Sequence, residues 1–289
     1  MSTAMTTPRP ARATEARSEV VRPTAALYWT SIGLASVAAA AAAFTAFVPG
    51  VLRGTEVMNG SARGTALAVL FVAVPTFVVG IFRVSRGAVR PAISSLGATA
   101  FIVYNSVLFL FATPFNSLFL IYAATFALAF WTLVLLLRAI DVESLASRIA
   151  TRVPAPGIAV YLAVIAVLNA AAWLGVVIPA LFQRSPSFLA GTGLTTNPIY
   201  TQDMSFWIPL VGVSAVLLWR RKAWGYVLGG GALVYFVIES ISIAVDQWMG
   251  GTADPTSSVA STTLAPVFLI VAAVGMIPLV IYFRRMSSA

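Results

Sequence analysis

Eight long apolar stretches, separated by gaps whose basic residues cluster on alternate sides, constrain this chain more than any other feature. In lipid, backbone amides find partners only inside a helix or a closed barrel, so apolar runs of this length read as membrane-crossing helices. Hydropathy puts the spans at about 25–48, 65–82, 95–113, 115–137, 157–182, 204–219, 223–246 and 264–283. The expected fold is therefore all-α, a polytopic transmembrane bundle of about eight spans. Of the 18 Lys and Arg residues, 15 fall on one set of gaps: Arg9, Arg12, Arg17, Arg22, then Arg83, Arg86, Arg90, then Arg138, Arg148, Arg152, then Arg220, Arg221, Lys222, and finally Arg284 and Arg285. Cytoplasmic loops carry such an excess, so both termini are expected in the cytoplasm, with Arg53, Arg63 and Arg184 outside.

Three regions follow: a disordered cytoplasmic arm over 1–24, a helical bundle over 25–283 and a short cytoplasmic tail over 284–289. The arm is rich in Thr, Ala, Arg, Pro and Ser and has too little apolar surface to fold. Glu15, Glu19 and the prolines argue against a mitochondrial presequence. Seventeen Arg against the single Lys222, with heavy use of Ala, points to a GC-rich bacterial genome and the inner membrane. A net charge of +9 spread along membrane boundaries reads as contact with anionic lipid headgroups and gives no reason to expect nucleic acid. With no Cys and no His, the chain lacks a thiol nucleophile, an imidazole base and the usual zinc or haem ligands. No cofactor, metal or catalytic residue is expected.

The first span contains SVAAAAAAF, whose small side chains let backbones approach closely, and is expected inside the bundle. ATPFNS closes a tight hairpin between the third and fourth spans, and WRRKAWG joins the sixth and seventh. The longer outer segments are 49–64, 183–203 and 247–263. Pro75, Pro179, Pro209 and Pro278 are positioned to kink helices. Gly229, Gly230 and Gly231 read as a site of close helix contact.

Polar residues inside the spans are the candidate site. Tyr235, Glu239, Ser242 and Asp246 are spaced four, three and four apart, which stacks them on one face of the seventh span. Glu239 lies seven residues, about 10 Å, below Asp246. A carboxyl at that depth is costly and is normally turned toward a partner or a wet cavity. Tyr104 and Asn105 on the third span, Asn116 at the head of the fourth, and Gln202 with Asp203 at the head of the sixth share the outer half. Asn169 and Trp173 lie near mid-depth on the fifth. If these faces turn inward, they define an outward-open ligand pocket floored by Glu239. Other readings stand beside this one. Asp203 suits a helix N-cap, Asn105 and Asn169 suit bonds between helices, and Trp207, Trp224 and Trp248 suit an interfacial aromatic belt.

The stretches YNSVLFLFATPFNSLFLIY, TTNPIYTQD and LWRRKAWGYVL resemble a family of uncharacterised multi-pass bacterial membrane proteins. Its marks are an Asn-Pro-x-Tyr-x-x-Asp segment and a Leu-Trp-Arg-Arg-x-x-Trp-Gly-Tyr inner turn. The resemblance covers roughly the middle half of the chain. It implies the bundle architecture and a shared polar cluster of Tyr104, Asn105, Asn116, Asn197, Pro198 and Asp203. It implies no substrate, and Glu239 has no counterpart in it.

Three functions compete. A small transporter or permease-like protein would bind a ligand between Tyr104, Asn105, Asn116, Asp203, Tyr235, Glu239 and Asp246. Oxygen ligands and an acidic outer half suit a cation or a proton there better than an anion. An accessory subunit would dock small-residue faces on a membrane-protein partner or a second copy. An enzyme acting on lipid chemistry ranks last, because paired acids, a phosphate loop and His are all missing. A retinal protein is set aside, since Lys222 at the inner boundary cannot form a mid-helix Schiff base.

Overall fold

The computed structural model describes residues 20–84, 89–184 and 186–287. Among them it contains no strand, and eight helices are long and apolar enough to cross a membrane. They are α1 (Ala25–Phe47), α2 (Glu56–Val84), α3 (Val89–Phe111), α4 (Phe119–Ala139), α6 (Ala155–Ala180), α7 (Pro198–Trp219), α8 (Ala223–Ala253) and α9 (Leu264–Met286). Between α4 and α6 lies a short helix, α5 (Val142–Ile149), where sequence reading gives only a loop. Asp141 caps it, its Oδ1 accepting from the Ser144 amide at 3.0 Å, and Leu145, Ala146 and Ile149 are its buried face.

Helices α3 and α8 form the centre. In their most apolar windows 72% and 67% of residues are buried, against 11% for α6, which marks α6 as the periphery. α8 packs against α2, α3, α7 and α9. Close approach follows from missing side chains. A Cβ on Gly97 would stand 2.5 Å from the Gly231 carbonyl oxygen, and one on Gly64 would stand 2.6 Å from that of Val245. The Gly229–Gly231 triplet thus serves contact between α8 and its neighbours, as its composition suggests.

Four spans exceed their apolar windows: α3 begins at Val89 rather than near 95 and α7 at Pro198 rather than near 204, and the two longest extensions are on α2 and α8. α2 begins at Glu56 rather than near residue 65, and α8 continues to Ala253 rather than ending at 246. Gly60 and Gly64 on α2 lie against Met249 and Val245 of α8, so these polar extensions hold each other helical through mutual packing. The outer segments shrink to 48–55, 181–197 and 254–263. Arg63 therefore sits inside a helix rather than in a loop.

α1 also departs from expectation. It is an outer helix with one buried stripe, Leu27, Ser31, Leu34, Ala38, Ala41, Ala42 and Thr45, while Trp29 is 68% and Phe47 61% exposed. The small residues serve a single contact face, and the aromatic ends face outward.

Residues 1–19 of the expected arm, and 288–289 of the tail, lie outside the described residues. The stretch from Val20 is anchored. The Arg22 amide donates to the Ala139 carbonyl and the Asp141 amide to the Val20 carbonyl, each at 2.8 Å, and Val20 and Val21 are buried. The Tyr226 hydroxyl reaches the Ala150 carbonyl, and the Tyr282 hydroxyl donates to the Tyr226 carbonyl at 2.6 Å. These bonds gather the start of α1, the α4–α5 junction, the start of α8 and the end of α9 at one end of the bundle.

Pro75 and Pro209 have the same local effect. A proline ring clashes with the carbonyl one turn earlier, and widening that turn relieves the clash. Val69–Ala73 and Asp203–Trp207 are π turns, each ending two residues before its proline. In both, the next amide, Val74 or Ile208, bonds five residues back, to the carbonyl of Val69 or Asp203.

Candidate functional site

Toward the end of the bundle remote from Val20 and Met286, a cavity of about 510 Å³ opens between α2, α3, α6, α7, α8 and α9. Tyr104 and Asn105 line it from α3, Asp203 and Trp207 from α7, and Tyr235, Glu239, Ser242 and Asp246 from α8. The four-three-four face of α8 is thus a cavity wall. Asn169 and Trp173 complete the wall on α6. Of the seven residues picked out from sequence, six meet here.

Asn116 does not. Its amide donates to the Pro114 carbonyl at 3.0 Å and its Oδ1 accepts from the Leu118 amide at 2.9 Å. Both ends of the side chain are spent closing the α3–α4 turn, a common use of Asn in such turns.

Asp203 is not an N-cap. Asn197 caps α7, its Oδ1 accepting from the Ile199 amide at 2.9 Å. Asp203 lies beyond the first turn, inside the π turn, and its Oδ2 accepts from the Trp173 indole N–H at 2.7 Å. The Tyr104 hydroxyl also faces this carboxyl. Trp207 is buried rather than interfacial; Trp224 and Trp248 are exposed, as an aromatic belt requires. Its ring stacks on Tyr235 with centroids 5.2 Å apart and planes 7° from parallel. Tyr104 meets Trp207 and Tyr235 edge-on at 5.7 and 5.9 Å. Gln202 locks this group, accepting from the Trp207 indole N–H at 3.3 Å and donating to the Tyr104 carbonyl at 3.4 Å.

Glu239 and Asp246 are less satisfied. Asn105 approaches the Glu239 carboxyl while also donating to the Phe101 carbonyl at 3.0 Å. Glu239 Oε2 is cut off from solvent and has no hydrogen-bond partner. Asp246 faces Ser61 of α2 and accepts weakly from Gln247 at 3.5 Å, yet its Oδ1 is likewise buried and unpartnered. Such orphaned acceptors are expensive in a low-dielectric interior. No Lys or Arg among the described residues lines the cavity.

A smaller cavity of about 350 Å³ continues toward the bundle end and shares Thr65, Trp173, Asp246, Gln247 and Val259 with the first. The 181–197 segment covers it through Phe188, whose ring meets Tyr200 at 5.1 Å, and Tyr200 meets Trp173 at 4.6 Å. The 254–263 segment folds back on α8, the Ser261 amide donating to Gln247 Oε1 at 3.0 Å. In that loop the Thr256 hydroxyl and amide hold the Asp254 carboxyl below the usual carboxylate range.

Sequence reasoning missed Thr65, Tyr161 and Gln247 as lining residues. Gly60-x-x-x-Gly64 was the available signal for Thr65, because it marks the α2 face that meets α8. Nothing in the local sequence singles out Tyr161. Comparisons with protein-family models, with curated proteins and with solved structures gave no match.

Proposed function

We propose that the chain is a small transporter or permease-like protein of the bacterial inner membrane, with both termini cytoplasmic, that takes a cation into the cavity floored by Glu239. The observation that carries this reading is the pair of buried, partnerless carboxyl oxygens on Glu239 and Asp246 in a cavity lined by no Lys or Arg. Buried carboxyls in a membrane protein require a compensating positive charge or a proton, and no Lys or Arg of the described residues lines this cavity. The excess of Arg in the alternate gaps of the sequence, Arg138, Arg148, Arg152, Arg220, Arg221, Arg284 and Arg285 among them, supports the orientation. The resemblance to the uncharacterised multi-pass family agrees with the site. Tyr104, Asn105 and Asp203 of its pattern line the cavity, and Asn197 caps the helix that delivers Asp203.

The test is a thermal-shift series on detergent-purified protein against alkali, alkaline-earth and ammonium cations and against pH, beside Glu239→Gln. A ligand that binds only the folded state raises its melting temperature by mass action. At least one cation or acid step should stabilise the parent, and the variant should lose most of that gain. A parent indifferent to every cation and to pH would end the cation reading. Proteoliposomes loaded with a dye for the active cation then report whether binding leads to flux.

A further inference from the structure

Resting on that reading, the cavity also carries information about what kind of cation fits. Three observations bear on it. First, among the described residues no group of three or more acidic side chains is close enough to hold a metal ion. The carboxyls come from two helices, Asp203 from α7 and the other two from α8. Second, the cavity holds about 510 Å³ and is walled by rings and aliphatic groups, including Trp207, Tyr235, Phe236 and Phe268. That is room for a small organic molecule and a poor match to the hydrated shell of an inorganic ion. Third, the two orphaned oxygens lie on one helix face two turns apart, Glu239 Oε2 deep and Asp246 Oδ1 nearer the bundle end. Asp203, by contrast, already accepts from Trp173.

We infer that the ligand is a short α,ω-diamine in its doubly protonated form, lying along α8 with one ammonium on Glu239 and the other on Asp246. Seven residues of helix separate these carboxyls by about 10 Å along the axis. An ammonium–carboxylate hydrogen bond of about 2.8 Å at each end leaves about 4–7 Å between the nitrogens, according to how far the bonds incline to the axis, which is the span of about three to four methylene groups. The alkyl chain then lies against the apolar wall, and the deep ammonium sits beside the aromatic rings of Tyr235 and Trp207, where cation–π attraction adds to the charge pairing. Ser242, between the two acids on the same face, supplies a hydroxyl midway.

The experiment titrates 1,4-diaminobutane, butylamine, and sodium or potassium chloride at constant ionic strength into the full chain in a neutral detergent, reading melting temperature and calorimetric affinity. The same titrations are run on Glu239→Gln and Asp246→Asn. The diamine is expected to bind at least tenfold more tightly than butylamine. Each substitution should bring diamine affinity down to the butylamine level, and size-exclusion profiles matching the parent's would separate this from misfolding. Should one variant fail to fold, the diamine-to-monoamine ratio in the parent and in the other variant still decides the matter. Equal affinity for mono- and diamine overturns the two-point assignment. Stabilisation by alkali cations or pH alone also overturns it and leaves the cation reading standing. Silence toward every cation and toward pH overturns both.

Discussion

At the residue scale, the Trp173–Asp203 bond is the contact that orients the cavity's third carboxyl. Replacing Trp173 by Phe keeps the ring and removes the donor. Leaving a buried acceptor without its donor costs about 1–3 kcal/mol, so Trp173→Phe is expected to destabilise by about that amount in a melting experiment. A null effect would mean that Asp203 finds another donor. Asp141 gives a second prediction, outside the membrane. The backbone N–H of Ser144, then its side chain, hold the Asp141 carboxyl below the usual range, with Arg22 adding a smaller attraction. A carboxyl lowered on folding stabilises above its unfolded pKa of about 3.9, and that contribution is lost as pH falls through the lower folded value. The melting-temperature advantage of the parent over Asp141→Ala should therefore be constant from neutral pH down to about pH 4 and shrink below it. An advantage that grows on acidification would contradict the capping assignment.

At the element scale, two backbone positions invite substitution in opposite senses. The α7–α8 turn is a Schellman closure, with the Lys222 amide bonded to the Leu217 carbonyl and the Arg221 amide to that of Leu218. Arg221 occupies the left-handed position, at φ 52°, where glycine is the usual residue. Arg221→Gly should relieve about 1 kcal/mol of backbone strain and raise the melting temperature. Gly64→Leu should do the reverse. Its side chain would meet the α8 backbone at Val245 and Asp246, and the expected loss is about 3 kcal/mol or more, seen as a lower melting temperature or aggregation.

The same scale explains what could be read from sequence. Span number and type were legible because lipid imposes a minimum apolar length, and all eight spans are where hydropathy puts them. Their ends were less so. Glu56–Gly64 and Gln247–Ala253 look like loop because they are polar, and only their mutual glycine contact makes them helix. The face of α8 was legible from spacing alone. Asp203 belongs to the cavity as expected, and only its N-cap reading fails, because a helix start can be inferred from a preceding Asn-Pro as readily as from an Asp, and here Asn197 and Pro198 take that role. Asn116 was misread because a polar residue in a tight turn has local bonds to make before it can serve a distant site.

At the scale of the whole molecule, orientation is testable with unusual simplicity because the chain has no cysteine. Single cysteines at Ser147 and Thr256 fall at opposite ends of the bundle, and the parent is a label-free background. A membrane-impermeant maleimide applied to intact cells should label Thr256→Cys and spare Ser147→Cys until the cells are opened. The inverse pattern would turn the cavity toward the cytoplasm and reverse the proposed direction of entry.

The π turn at Asp203–Trp207 also has a consequence for lineage and for engineering. A widened turn holds one residue more than a regular helix needs, so the residues before it present the faces they would have if that residue were absent. Excising Met204 should therefore close the turn into regular helix and leave Asn197, Tyr200 and Gln202 near their present faces, whereas excising a residue from the regular helix after Pro209 would swing them by about 100°. The turn is thus where α7 can change length without re-aiming its first residues, and chains of this architecture that lack one residue here should keep the same faces.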